Sequence, residues 1–335
     1  MKRSLQIFFG LTLLAALAEV IILIQIRLDP WRLAAFVESV SLMLGGFVGL
    51  TQTAFIKQMR QWATASAVAA AGLPFLLLVP YLILGLGTST FSLLALGKLI
   101  AYILVPTALL LPDRLRHREI LNWRDVLAMV ALAVPVSAGW LQGIWIWPQD
   151  IYIFRPIFCV LLGGYTFMVL RNLEGVGFRL VWRKRDITAG ALNLLAYSLL
   201  AIPLGLALNF IHPHSMAPLA RGAVESQGPV LNFLFLFIGI YLTVAIPEEF
   251  LFRGILQNIL ARTIKKGPRG VYGLLIASVV FGAAHLHHPP VPNWRYAILA
   301  TLAGIFYGNV YNTRQRLCAS ALTHALVDTI WHFWF

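Results

Sequence analysis

The sequence predicts an all-α polytopic membrane protein, a transmembrane helix bundle of about eleven spans with its N-terminus inside and its C-terminus outside. Three observations carry this. The 335 residues are 59% hydrophobic and only 12% charged, with a mean hydropathy of +0.80, too little charge for a water-solvated surface. Apolar runs recur at close to the roughly 20 residues that cross a hydrocarbon core. The basic residues between those runs alternate between crowded and sparse loops.

Taken in order, the spans fall near 5–26, 33–56, 63–87, 91–111, 126–147, 156–170, 189–210, 229–260, 271–286, 296–311 and 317–335. The first follows Met1-Lys2-Arg3 as a signal peptide would, but its apolar run is long and no small-residue cleavage site stands out, so an uncleaved span is expected. Pro74, Pro80, Pro106 and Pro135 fall inside spans, where they are expected to kink helices that neighbours in a bundle can tolerate. Glu19, Glu38 and Lys98 are the polar interruptions of residues 1–190, read as mutual pairs or seam residues rather than a proton relay. Composition shifts near residue 190, which suggests two parts: 1–190, helices of unassigned role, and 191–335, with a motif-bearing core at 231–335.

Of the 26 basic residues, 19 fall in the segments that an inside N-terminus makes cytoplasmic and 5 on the opposite side, with Lys98 and Arg253 inside spans. This positive-inside bias fixes the expected orientation, and it assigns the net charge of +13 to topology and anionic headgroups rather than to nucleic acid. The arginine-rich stretches 112–125 and 171–188 also carry Trp123, Phe178 and Trp182, as segments lying on a membrane surface do. Cys159 and Cys318 both lie in apolar runs, which predicts neither a disulfide nor a cysteine metal site. His212 and His214 flank Pro213 with no further ligands nearby, as in a solvated loop.

The last third carries ionisable side chains at helical spacing in otherwise apolar surroundings: Glu248-Glu249 with Arg253, Phe281 with His285, and His324 with Asp328. Groups of this kind are costly at bilayer depth, so they are kept for chemistry or transport. Glu249 and Arg253 are four apart in the favourable order for a pair on one helix face. Glu248 is rotated by about 100° from its neighbour, which leaves it free to face something else. Pro247 lacks an amide donor and can open the helix there. At about 1.5 Å rise per residue, Glu248 lies roughly 21 Å from Arg262 and His285 roughly 24 Å from Arg269. On the same rise Asp328 lies about 18 Å and His324 about 12 Å from Arg316, so the four groups can meet on one side of the basic loops. A carboxylate with two imidazoles can take a proton from water directly, or can hold Zn²⁺ that acidifies the water, with Glu248, His285 and His324 as the candidate ligands. The His-Glu-x-x-His signature is absent. Proton relay for transport is a further use of such a set.

Glu-Glu-x-x-x-Arg, Phe-x-x-x-His and His-x-x-x-Asp in this order, on successive spans, resemble the CPBP family of intramembrane proteases, which includes type II CAAX prenyl endopeptidases and bacteriocin-processing or self-immunity proteins. The likeness covers about 231–335. It implies that Glu248 activates the hydrolytic water, that His285 assists, that His324 with Asp328 faces the scissile carbonyl, and that Glu249 and Arg253 are the supporting pair. The prenyl endopeptidase branch has Asn at the position of Asp328. An ionised Asp cannot donate to an oxyanion, so Asp328 is protonated, or orients His324, or serves a cation. His287, His288 and His332 follow the motifs closely and are read as loop and interfacial residues.

The resulting expectation is an intramembrane endopeptidase of the multi-pass type, in the plasma (inner) membrane of a prokaryote. It would act on a hydrophobic or lipidated peptide or a membrane-protein segment, by a metal-free scheme in preference to zinc. The rivals are a non-catalytic immunity or scaffold protein that binds peptide or lipid in the same cavity, and a proton-coupled transporter.

Overall fold

A long apolar run can satisfy its backbone in hydrocarbon only within itself, and among the described residues every regular element is helical. The computed structural model describes residues 29–116, 118–148, 150, 153–213, 229–264 and 270–335. The expected span at 5–26 with Glu19 lies outside them, as do His214, Lys265, Lys266 and Arg269. The helices are α1 (Pro30–Leu50), α2 (Thr53–Ala65), α3 (Ala67–Gly87), α4 (Leu93–Leu115), α5 (Trp123–Ser137), α6 (Phe154–Leu170), α7 (Lys184–Ala207), α8 (Val230–Thr263), α9 (Val271–Ala283), α10 (Trp294–Arg314) and α11 (Leu317–Trp334). Five of them, α1, α3, α4, α7 and α8, are long and apolar enough to cross a membrane. The chain is an all-helical, multi-pass integral membrane protein.

Two compact units divide the chain. One runs to Arg118 and resumes over Asn122–Glu174; the other holds Glu119–Leu121 and Gly175–Phe335. The break therefore comes before residue 190. Tyr311 Oη donates to the Gly175 carbonyl at 2.7 Å, and Arg314 and Arg316 each reach Asp186 at 2.9 Å, so residues 175–190 group with the helices that follow.

In the first unit, side-chain caps set the helix starts. Asp29 accepts from Trp31 N ahead of α1, Ser66 from Ala69 N ahead of α3, and Asn122 from the Arg124 and Asp125 amides ahead of α5. Three sequence expectations need correction here. Residues 57–62 form part of a helix, α2, whose Arg60 donates to the carbonyls of Met168 and Leu173. The apolar run at 126–147 stays helical only to Ser137, because Gly139 and Gly143 adopt φ of +69° and +72°. Arg171, counted among the loop arginines, is fully buried and reaches Asp125 at 2.8 Å. Its burial removes it from any headgroup contact.

In the second unit, α10 packs against α7, α9 and α11, and α11 also packs on α7 and α8. The α9–α10 contact depends on small residues, as close helix packing in membranes commonly does. A Cβ on Gly282 would fall 1.8 Å from Thr301 Oγ1 and 2.5 Å from the Ala297 carbonyl. Gln315 at φ +53° turns the chain from α10 into α11.

Candidate active site

Helix α8 is 34 residues long and is widened to π-helical turns on both sides of the paired glutamates, at Tyr241–Ala245 and Phe250–Gln257. Pro247 has no amide to offer the carbonyl four residues earlier, and the local answer is a shifted register. Ile246 N donates to the Tyr241 carbonyl and Asn258 N to the Arg253 carbonyl, both spanning five residues. Wide turns of this kind are rare and are often found where side chains must be re-aimed for function.

The two glutamates are held in different ways. Glu249 is fully buried and has a partner at every side. Its Oε1 lies 3.2 Å from Arg253 Nη1 and accepts from His324 Nδ1 at 3.0 Å; its Oε2 is in close contact with Ser320 Oγ. Arg253, 1% exposed, donates to the Gly304 carbonyl at 3.3 Å and lies over the rings of Phe281 at 4.3 Å and Tyr307 at 5.4 Å. Glu248 keeps a third of its side chain open (35%), and its Oε2 makes no hydrogen bond.

His324 is 3% exposed, and its ring stacks parallel on Tyr307 with centroids 4.6 Å apart. Since Glu249 already accepts on both oxygens, His324 Nδ1 is the donor in that contact. The other nitrogen, Nε2, lies 3.3 Å from Asp328 Oδ2 and 3.8 Å from Glu248 Oε2. Nε2 thus faces both carboxylates from the cavity side, while Nδ1 is turned to Glu249. His285 bonds through Nδ1 to the Phe281 carbonyl at 2.8 Å, and a carbonyl only accepts, so Nδ1 carries the hydrogen and Nε2 presents a lone pair. Its ring packs edge-on to Tyr296 at 4.6 Å.

Glu248, His285, His324 and Asp328 all line one cavity of about 210 Å³, whose other walls are largely apolar side chains of α7, α10 and α11. Glu249 and Arg253 lie behind that surface and do not line it. The sequence reading missed Ser320, although it lies one helical turn before His324 on the same face, and missed Tyr307, for which the sequence held no signal. His288 also lines the cavity mouth, packed on Tyr296 at 5.2 Å. His212 is described and joins no part of this cluster.

As for a metal, the described residues contain no group of three or more His, Cys, Asp or Glu side chains placed to hold one. Of the candidate ligands, His324 has Nδ1 bonded to Glu249, and its Nε2 lies 3.3 Å from Asp328 and 3.8 Å from Glu248.

Comparison with known proteins bears on this region alone. Residues 230–330 match the family described as Type II CAAX prenyl endopeptidase Rce1-like. This is the likeness that the three motifs carried, and it spans α8 to α11, which with the turn after α9 that holds His285 bear every residue of the cluster. The endopeptidase-like region is thus also the part of the chain with carboxylates and imidazoles around a cavity. Neither the curated proteins nor the solved structures gave a match.

Proposed function

We propose that the C-terminal unit is an intramembrane endopeptidase in which Glu248 activates the hydrolytic water without a metal ion. The observation that carries the reading is the contrast between the two glutamates: Glu249 is fully bonded, while Glu248 lines the cavity and its buried Oε2 has no hydrogen-bond partner. A carboxylate so placed has capacity to bind and deprotonate water.

In the proposed reaction the water oxygen adds to the scissile carbonyl carbon and its proton passes to Glu248. The lone pair of His285 Nε2 accepts the second water hydrogen and orients the attack. A protonated His324 Nε2 donates to the developing oxyanion, and Asp328, 3.3 Å from that nitrogen, orients the ring and balances its charge. Collapse of the tetrahedral adduct breaks the C–N bond, and Glu248 returns its proton to the leaving amine. The type II CAAX prenyl endopeptidase family supports peptide-bond hydrolysis as the reaction class. Apolar cavity walls support a hydrophobic or lipidated peptide as substrate.

Glu248→Gln tests the reading. Gln keeps the shape but cannot take a proton, so hydrolysis of apolar peptides by purified protein should fall by about 10²–10⁴-fold, the usual worth of a general base. Retained turnover in that variant would remove Glu248 from the role. A wild-type protein that binds apolar peptides and cuts none would favour the scaffold alternative.

A further inference from the structure

The C-terminal unit has two unlike ends, and the cavity belongs to one of them. Arg314 and Arg316 both reach Asp186 at 2.9 Å, and Arg183, Lys184 and Arg185 precede that aspartate where α7 begins. Arg262 lies beside Gly175, whose carbonyl accepts from Tyr311 at 2.7 Å. These cations gather where α7 and α11 start and α8 and α10 finish. The opposite end carries His287, His288, Trp294 and Trp334 and, among the described residues of this unit, a single cation, Arg295. The cavity lining runs toward that second end. On α10 it extends from Tyr296 to Tyr307 and stops seven residues short of Arg314; on α11 it starts at His324, eight residues beyond Arg316. Burial follows the same gradient: Tyr307 and His324 are buried, Tyr296 and Trp331 are partly open, and His288 is exposed. At the open end Tyr296 packs on Phe210 at 5.3 Å, Trp331 at 5.4 Å and His288 at 5.2 Å, so aromatic rings line the mouth. Toward the basic end Glu249, Arg253 and Ser320 close the floor, and beyond them Gln257 bonds the Gly308 carbonyl and Asn312.

Segments rich in Lys and Arg stay on the cytoplasmic side of a membrane, and Trp and Tyr rings settle at its interfaces. We infer that the site is served from the extracytoplasmic face: its substrate is an apolar peptide or membrane segment whose scissile bond is presented from the outer leaflet, and a chain held at the cytoplasmic leaflet meets the closed end. The cut itself rests on the hydrolytic reading of the same site; the side of access follows from the cavity and the charges alone. His324 lies seven residues from Trp331, roughly 10 Å along α11. An extended chain crosses that depth with about three residues, at about 3.3–3.6 Å each, so the substrate enters unwound over at least that length.

The test uses the full chain with Cys159→Ala and Cys318→Ala and one new cysteine, in right-side-out spheroplasts and in inverted vesicles of a bacterial host, treated with a membrane-impermeant maleimide. His288→Cys, at the mouth, should react from the outer side, and Thr313→Cys, exposed near the basic end, from the inner side. An apolar dodecapeptide made impermeant by a sulfonated dye at one end, added outside at about ten times its Kd, should slow the His288→Cys reaction about tenfold, the share of empty sites that mass action leaves. It should leave Val291→Cys, exposed and outside the lining, unchanged. The same peptide should be cut in spheroplasts holding the wild-type chain, not in those holding Glu248→Gln, and not in inverted vesicles. Reaction of His288→Cys from the inner side, absence of protection, or cutting confined to inverted vesicles would overturn the inference. If the peptide protects from outside and is cut from neither side, the hydrolytic reading fails while the side of access stands. Should His288→Cys fail to accumulate, Val291→Cys reports the orientation and wild-type cutting decides the side.

Discussion

Replacing Glu249 by Gln should damage the fold far more than the same change one residue earlier. Glu249 is the sole carboxylate on Arg253 among the described contacts, and Arg253 is 1% exposed. Neutralising one member of a buried pair leaves the other charge uncompensated, at about 3–5 kcal/mol. Arg253 would keep the Gly304 carbonyl at 3.3 Å and the faces of Phe281 and Tyr307, which sets the loss toward the lower end, about 3 kcal/mol. For a cooperative block the size of the C-terminal unit this corresponds to a drop of roughly 6–12 °C in Tm. Glu248→Gln, by contrast, alters a side chain that is a third open and has an unbonded oxygen, so its stability should stay within about 0.5 kcal/mol of wild type, or roughly 1–2 °C in Tm. The assay is thermal unfolding of both variants in one detergent, followed by tryptophan fluorescence. Equal Tm values for the two, or a lower one for Glu248→Gln, would refute the division between a structural and a reactive glutamate.

Ser320→Ala removes the hydroxyl against Glu249 Oε2 in a fully buried position and should cost about 1–3 kcal/mol in the same unfolding assay, with no change in which peptides are cut. Gly282→Ala drives a methyl toward the Ala297 carbonyl at 2.5 Å, so α9 and α10 must separate, and about 1–3 kcal/mol of stability should be lost. Exhaustive chelation should leave hydrolysis undiminished; near-stoichiometric zinc whose removal and return switch turnover off and on would overturn the metal-free scheme.

Much of the helical architecture was readable because hydrocarbon leaves the backbone few options: apolar run length alone located α3, α4 and α6 to α11 within a few residues. It failed where local chemistry decides. Lys57 and Arg60 made 57–62 look like a loop, whereas Arg60 is turned inward to carbonyls at the end of α6. The run at 138–147 is apolar yet not helical, because Gly139 and Gly143 take left-handed φ values that apolarity does not register. Within the site, contacts along one helix were legible from spacing: Glu249 with Arg253, His324 with Asp328, and Phe281 with His285, all four apart. Contacts between helices were not. The Glu249 to His324 bond joins residues 75 positions apart, and nothing in either motif names the other.

That unforeseen bond changes how the motifs relate. Read singly, Glu249 with Arg253 is a structural pair and His324 with Asp328 a chemical one. In the fold they form one chain of contacts, from Arg253 through Glu249 and His324 to Asp328, reaching from a buried cation on α8 to the cavity wall on α11. The acceptor at Nδ1 decides which nitrogen of His324 faces the cavity, so the supporting pair also orients the imidazole that the proposed chemistry uses. Arg253 is therefore a positioning residue as well as a counter-charge. Its replacement by Lys, a point charge that cannot span both Glu249 and the Gly304 carbonyl as a planar fork does, should retain more stability than Ala while still loosening the ring of His324. The adjacency of Glu248 and Glu249 then has a physical reason. On one helix, about 100° of rotation turns identical side chains to opposite tasks, one locked against a cation to hold an imidazole and the other left facing the space where that imidazole points.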